Sequence, residues 1–254
     1  YLARQAAPTP VISFNVLHQH AAGAVIITAS HNPPLWNGLK FKPEYGGSAT
    51  QEITDQLEAR IRAVCQVKLD PDYVGARDRG LVIDIDPAPP YLERIKALVA
   101  WKAIQDAGLK VVVDAMYGAG AGYIPLLVNG GRTVVEELHG SPNPAFPGMT
   151  QPEPIAHNLT ELAERVQAGG VSVGLALDGD ADRLGVMDES GRFITTLEVF
   201  ALLALYLLEQ KGQRGPLVKG VTSSMMLNKL GQKFGVAVYE MPVGFKHIGP
   251  KMSE

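Results

Sequence analysis

Residues 171–183 read Val-Ser-Val-Gly-Leu-Ala-Leu-Asp-Gly-Asp-Ala-Asp-Arg. The apolar run 171–177 has the length and composition of a buried strand, and it stops abruptly at a polar loop. Three carboxylates, Asp178, Asp180 and Asp182, alternate there with small residues and are followed by Arg183. Alternate side chains of an extended or turning segment point the same way, so the three can converge. An apolar strand that delivers polar groups to a loop at its carboxyl end is the repeating unit of an α/β sheet, where chemistry gathers at strand ends.

The same unit recurs on either side. Toward the amino terminus lie a helix over 158–168, a Pro-rich loop over 141–154 and a strand over 133–138. Before them come a helix over 123–129, a Gly-rich turn over 115–122, a strand over 110–114 (KVVVD) and a helix over 91–107 ended by Gly108. The Pro-rich stretch 86–90 reads as a linker. Earlier still, a strand is expected over 81–85 and a helix over 51–67, with Ile53, Leu57, Ile61 and Val64 on one face. A buried strand over 23–28 (GAVIIT) leads into a second polar loop. Toward the carboxyl terminus follow an extended segment over 184–188, helices over 198–211 and 224–234, and strands over 217–219 and 236–240. Such alternation predicts the α/β class, with mostly parallel sheet flanked by helices.

Of the 254 residues 46% are apolar and 19% charged, enough to fill a sizeable core. The net charge of −3 points to neither nucleic acid nor an anionic membrane, so an anionic substrate needs a local basic pocket. Cys65, the single cysteine, is expected to be a partly buried thiol without a chemical role, in keeping with a reducing compartment. No run reaches the roughly 20 apolar residues of a membrane span. The longest, 200–208, lies between Glu198 and Glu209 and reads as a buried helix. No signal peptide is read at Tyr1-Leu2-Ala3-Arg4-Gln5. Without an initial Met, and with an end at Met252-Ser253-Glu254, the chain reads as a piece of a longer polypeptide.

Three anionic groups held together repel unless a cation neutralises them, and hard oxygen donors in a tight loop suit Mg²⁺. An EF-hand also begins D-x-D-x-D and carries Glu at the twelfth position, as Glu189 does here, but it needs Gly at the sixth, where Arg183 stands, and a helix before the loop, where a strand is expected. Arg183 could grip a phosphate bidentately or pair with one of the aspartates. In Thr28-Ala29-Ser30-His31-Asn32-Pro33-Pro34, Ser30 at a strand end is a candidate nucleophile, although Ser, Asn and Pro also make ordinary turns. His31 suits a base or a hydrogen-bonding loop residue, and Asn32 a bond to its own backbone. Lys40, in Asn37-Gly38-Leu39-Lys40, could be a general acid/base, a phosphate contact or a solvated surface lysine. The glycines Gly118, Gly120 and Gly122 lack both nucleotide-loop frames and are expected to let a helix pack closely on the sheet. Pro242-Val243-Gly244-Phe245-Lys246-His247-Ile248 carries two basic groups and by itself says nothing more.

Taken together, T-A-S-H-N-P-P at 28–34, N-G-x-K at 37–40 and D-G-D-A-D-R at 178–183 resemble the α-D-phosphohexomutase superfamily of phosphoglucomutases and phosphomannomutases. Residues 112–122 and the Pro-rich 142–154 are similar to the second domain of that family. The resemblance implies successive mixed, mostly parallel sheets flanked by helices: domain 1 over 1–86, domain 2 over 87–191 and domain 3 over 192–254, the first and third incomplete. It implies that Ser30 carries a phosphoryl group and that Asp178, Asp180 and Asp182, with a phosphoserine oxygen on Ser30, hold Mg²⁺. Arg183 and His31 would lie beside that phosphate, Lys40 would be the general acid/base and Lys246 would face a substrate phosphate. The implied reaction interconverts hexose 1-phosphate and hexose 6-phosphate, glucose first and mannose next, through a hexose 1,6-bisphosphate. Such an enzyme would be cytoplasmic, a monomer or homodimer, with no nucleic-acid or membrane partner. Family members have four domains, so the 254-residue chain alone is expected to keep the phosphoserine and metal residues but turn over poorly.

Three other readings compete: a metal-dependent phosphatase or phosphotransferase with an aspartate nucleophile, a sugar-phosphate or Ca²⁺-binding module, and a phosphoglucosamine mutase of the same family. The run from Pro33 to Gly47 (PPLWNGLKFKPEYGG) looks more like the glucose and mannose enzymes.

Overall fold

A computed structural model describes residues 1–64 and 72–254; Cys65 and the end of the helix expected over 51–67 lie outside them. Two compact units are present, Tyr1–Thr28 with Gly38–Ala100 and Ala29–Asn37 with Trp101–Glu254.

The first unit contains β1 (Leu2–Ala3), α1 (Thr9–His18), β2 (Gly23–Ile27), β3 (Leu39–Pro43), α2 (Gln51–Ala63), α3 (Tyr73–Asp78), β4 (Asp84–Ile85) and α4 (Ala88–Leu98). Strands β2 and β3 pair antiparallel, with Ile26 opposite Lys40. The expectation of a buried strand over 23–28 is corrected: Ile26 is 8% exposed, but Val25 and Ile27 are 59% and 73% exposed. Successive side chains leave a strand on opposite faces, and only one face of this ribbon is covered. Helix α1 gave no clear signal because its apolar residues surround the axis instead of forming a stripe. It is held by Asn15, whose Nδ2 donates to Val11 O (2.9 Å) and to Pro87 O (2.8 Å). Residues 86–90, read as a linker, are instead the entrance to α4. Pro89 and Pro90 occupy its first turn, where a missing N–H breaks no helical bond. The single helix expected over 91–107 is two, α4 and α5 (Trp101–Asp106), interrupted at 99–100.

The second unit continues with β5 (Lys110–Asp114), α6 (Tyr123–Val128), β6 (Val134–Leu138), α7 (Thr160–Gln167), β7 (Val173–Leu177), β8 (Leu184–Met187) and β9 (Phe193–Ile194). These strands form one sheet in the order β6-β5-β7-β8-β9. The β6-β5-β7 part is parallel and the remainder antiparallel. β5 lies inside the sheet, between β6 and β7, and is apolar on both faces, with Val112 and Val113 at 1% and 0% exposure. On one face Val112, Met116, Ala176 and Met187 pack with Leu159, Leu162 and Val166 from α7 and the turn before it. Because β5 and β7 run parallel, Asp114 and Asp178 leave the same carboxyl edge of the sheet.

The unit ends with α8 (Thr196–Glu209), β10 (Leu217–Gly220), α9 (Met226–Phe234), β11 (Val238–Met241) and α10 (Phe245–Ser253). Thr195 and Glu198 start α8 with a reciprocal capping box. β10 and β11 pair parallel, and Lys219, 1% exposed, reaches Glu240 on the facing strand at 2.5 Å. Ala204 and Leu208 of α8 pack on Leu227 and Leu230 of α9. The expectation that 200–208 is a buried helix holds for that stripe alone, since Leu202 and Leu203 are 59% and 56% exposed. No described helix is long and apolar enough to cross a membrane.

Candidate metal and phosphoryl site

β7 delivers Asp178 into a loop that folds back on its own carboxylate. Asp178 Oδ1 accepts the backbone N–H groups of Asp182 (2.9 Å) and Arg183 (3.0 Å), and its carbonyl accepts that of Ala181 (3.0 Å). The tight curl requires a left-handed residue, supplied by Ala181 at φ +53°. One carboxylate oxygen from each of Asp178, Asp180 and Asp182 lies within 4.8 Å of the others. Asp178 and Asp180 are 0% and 4% exposed, whereas Asp182 is exposed. Burial, reinforced by the charges of Asp180 and Asp182, pushes the Asp178 carboxyl up to about 7, against the pull of the Arg183 and Asp182 amides. An all-oxygen donor set of this kind suits Mg²⁺, whose ligand octahedron is about 4 Å across, so modest side-chain rotation closes it.

The Ser30 loop lies against this one. Ser30 Oγ–H donates to Asp178 Oδ2 at 3.3 Å across 148 positions of sequence. The main chains also meet, since a Cβ on Gly179 would lie 2.4 Å from Ser30 O. Ser30 is itself left-handed, at φ +55°. Asn32 closes the turn, both its backbone N–H (3.0 Å) and its Nδ2 (2.9 Å) donating to Ala29 O. His31 Nδ1 is 3.4 Å from Ser30 Oγ, and the tautomer decides which group donates.

Glu153, which the sequence reading passed over, lies between the basic residues. Its Oε1 accepts from Arg183 (3.2 Å) and stands 4.0 Å from His31 Nε2. Its Oε2 accepts from Gln151 Nε2 (2.7 Å), and its carbonyl accepts from Asn158 Nδ2 (2.9 Å). The one signal was an acidic residue clamped between Pro152 and Pro154 in a loop otherwise read as a connection. Arg183 therefore pairs with Glu153 and not with one of the aspartates, which was the alternative to a phosphate contact.

The second unit thus brings together Ser30, His31, Asp178, Asp180, Asp182 and Arg183: a hydroxyl on a strained turn, a hard-cation donor set and flanking basic groups. Lys40 belongs to β3 of the first unit, and Lys246 is exposed in the first turn of α10. The glycines at 118–122 do not seat a helix on the sheet as expected. Gly118 and Gly120 let the 115–122 turn approach this loop and the end of β7: a Cβ on Gly118 would lie 2.7 Å from Gly179 O, and one on Gly120 2.7 Å from Leu177 Cδ1 and 2.9 Å from Ala181 Cβ, while Gly122, at φ +82°, supplies a left-handed start to α6.

Three domain patterns described as phosphoglucomutase/phosphomannomutase α/β/α domains I, II and III match residues 1–68, 89–191 and 197–254. The chain belongs to the phosphoglucomutase/phosphomannomutase family. It is 36% identical over 94% of its length to 51% of a phosphoglucomutase/phosphomannomutase of Thermococcus kodakarensis. It is 32% identical over 97% of its length to 52% of a Methanopyrus kandleri protein described as a probable phosphoglucosamine mutase. A crystal structure of a Thermus thermophilus protein described as a putative phosphomannomutase superposes with a TM-score of 0.87 at 35% identity, over 96% of this chain and 54% of that one. The chain therefore spans about half the length of the curated relatives it matches.

Proposed function

We propose that the chain is the phosphoserine- and metal-bearing part of a phosphosugar mutase that interconverts hexose 1-phosphate and hexose 6-phosphate through a bound hexose 1,6-bisphosphate. The observation that carries this reading is Ser30 Oγ at 3.3 Å from Asp178 Oδ2, beside two further carboxylates. In the proposal Asp178, Asp180 and Asp182 hold Mg²⁺, which supplies positive charge to the phosphoryl oxygens on Ser30. As the phosphoryl group leaves, the Oγ–P bond breaks, an O–P bond to a sugar hydroxyl forms, and the hydroxyl proton passes to a base. Lys40 is proposed as that base on its motif, and Lys246 as a contact for a substrate phosphate. Arg183, steered by Glu153, and His31 offset the charge and orient Ser30; positioning and charge stabilisation account for most of phosphoryl-transfer catalysis. The bisphosphate then returns its other phosphate to Ser30. A cytoplasmic location and a monomeric or homodimeric state complete the proposal.

Incubation with glucose 1,6-bisphosphate and Mg²⁺, followed by intact-mass and peptide mapping, tests it. The expected result is an acid-stable phosphate on Ser30 that disappears in Ser30→Ala. An acid-labile phosphate on Asp178 would favour the phosphatase reading instead, and Ca²⁺ preference without a phosphoenzyme would favour the binding module.

For the sugar we propose glucose before mannose, on the run from Pro33 to Gly47. A second reading, glucosamine phosphate, is supported by the name of the Methanopyrus kandleri relative. Coupled assays with glucose 1-phosphate, mannose 1-phosphate and glucosamine 1-phosphate rank the three.

A further inference from the structure

Asp114, 1% exposed at the carboxyl end of β5, has no part in the proposed reaction. Its Oδ1 accepts the Met116 N–H at 2.8 Å and stands 2.8 Å from His139 Nδ1; His139 Nε2 faces Glu161 Oε2 at 3.1 Å. These bonds brace an unfavourable turn. Met116, Tyr117 and His139 have φ +46°, +56° and +49°, a region L side chains rarely adopt. The Tyr117 N–H donates to His139 O at 3.1 Å, and the two rings lie 4.5 Å apart. The far end of the turn touches the metal loop. Ala119 N–H donates to Gly179 O at 2.9 Å, and Gly118 leaves no side chain between the two backbones. Gly179 joins Asp178 to Asp180 and abuts Ser30 O on its other side.

We infer that Asp114 and His139 are positioning residues that hold the Asp178–Asp180–Asp182 loop in its ligating shape through the 115–120 turn. The inference rests on the reading of those aspartates as metal ligands. Neither residue touches the metal position; each holds the turn whose backbone fixes Gly179. Outer groups that orient a metal site are commonly worth about tenfold or more in metal affinity.

The test compares Asp114→Ala, His139→Leu and His139→Asn with Glu136→Gln, which weakens the exposed ion pair to Arg165 on the edge strand β6. Two quantities are measured: amide hydrogen exchange of residues 178–183 in the metal-free chain, and Mg²⁺ affinity by titration calorimetry. Asp114→Ala and His139→Leu are expected to speed exchange at Asp182 and Arg183 and to weaken Mg²⁺ about tenfold. His139→Asn keeps a donor near the Nδ1 position and tolerates positive φ, so it retains most of both. Glu136→Gln changes neither. Unaltered loop exchange in Asp114→Ala and His139→Leu overturns the inference, as does an equal change in Glu136→Gln. Should one variant fail to fold, the other and the His139→Asn rescue still decide. If the parent chain binds no Mg²⁺ but the exchange pattern appears, the metal reading fails and the positioning role stands.

Discussion

Gly179 stands in the acidic loop where a side chain has no room, because a Cβ would meet Ser30 O at 2.4 Å and Pro152 Cγ at 3.1 Å. Backbone atoms cannot rotate aside, so Gly179→Ala has to part the two loops. The expected consequence is a fall of about a hundredfold in the rate of Ser30 phosphorylation, followed by intact mass, with the circular dichroism of the sheet preserved. Single residues were also the least readable scale. Ser30 by itself reads as a turn, and Glu153 as loop. Both acquire meaning from neighbours distant in sequence, Asp178 for the first and Arg183 with His31 for the second. The convergence of the aspartates was readable in advance because it is local: carboxylates on alternating positions of a turning segment point the same way, and one oxygen of each lies within 4.8 Å of the others.

Elements carry the stability, and they divide by how many faces are covered. Leu162 on α7 is 0% exposed within the sheet-facing cluster, so Leu162→Ala is expected to cost about 2–5 kcal/mol in denaturant unfolding. Leu202 on α8, 59% exposed, should cost less than about 0.5 kcal/mol when changed to Ala. The two helices differ in kind: Leu162 lies on the narrow apolar stripe of an otherwise polar helix (TELAERVQ), whereas Leu202 lies in one that is apolar nearly all round (TLEVFALLALYLLE), so an apolar run alone does not say which leucine is covered. Strand and helix periods identified β5, β7, α8 and α9 to within about two residues at each end, the usual precision for element boundaries. Periodicity failed at α1, which has no stripe, and at α4 and α5, where apolar spacing runs on through a backbone break. It failed too at 86–90, where prolines signal a helix entrance as readily as a linker.

At the scale of the molecule the acidic loop, with Asp178 and Asp180 buried, is expected to make stability depend on pH and, under the proposed function, on Mg²⁺. Asp178 titrates near 7 in the folded chain against an ordinary 3.8. A carboxyl raised on folding contributes its full stability below the unfolded value and loses it as pH rises toward the folded one. Asn imitates the protonated form. In metal-free buffer the melting temperature of Asp178→Asn should therefore gain on that of the parent chain from pH 4 to pH 7 and level off above. A constant difference across that window would contradict the assigned cause. Mg²⁺ competes with the same proton, so it should raise the parent melting temperature more at pH 8 than at pH 5 and do little for the variant.

The sequence by itself determined the alternation of strands and helices, the carboxylates that follow β7 and the family to which those motifs correspond. Each is a local pattern, written in the period of a strand, the reach of a turn or the repulsion of adjacent charges. Tertiary structure alone decided that Ser30 meets Asp178 across 148 positions, that Glu153 stands between His31 and Arg183, and that Asp114 bonds both Met116 N–H and His139 in the turn behind the acidic loop. Those meetings depend on the order β6-β5-β7 and on which loops leave the same sheet edge. Strand order is a relation between distant segments, and no local period encodes it.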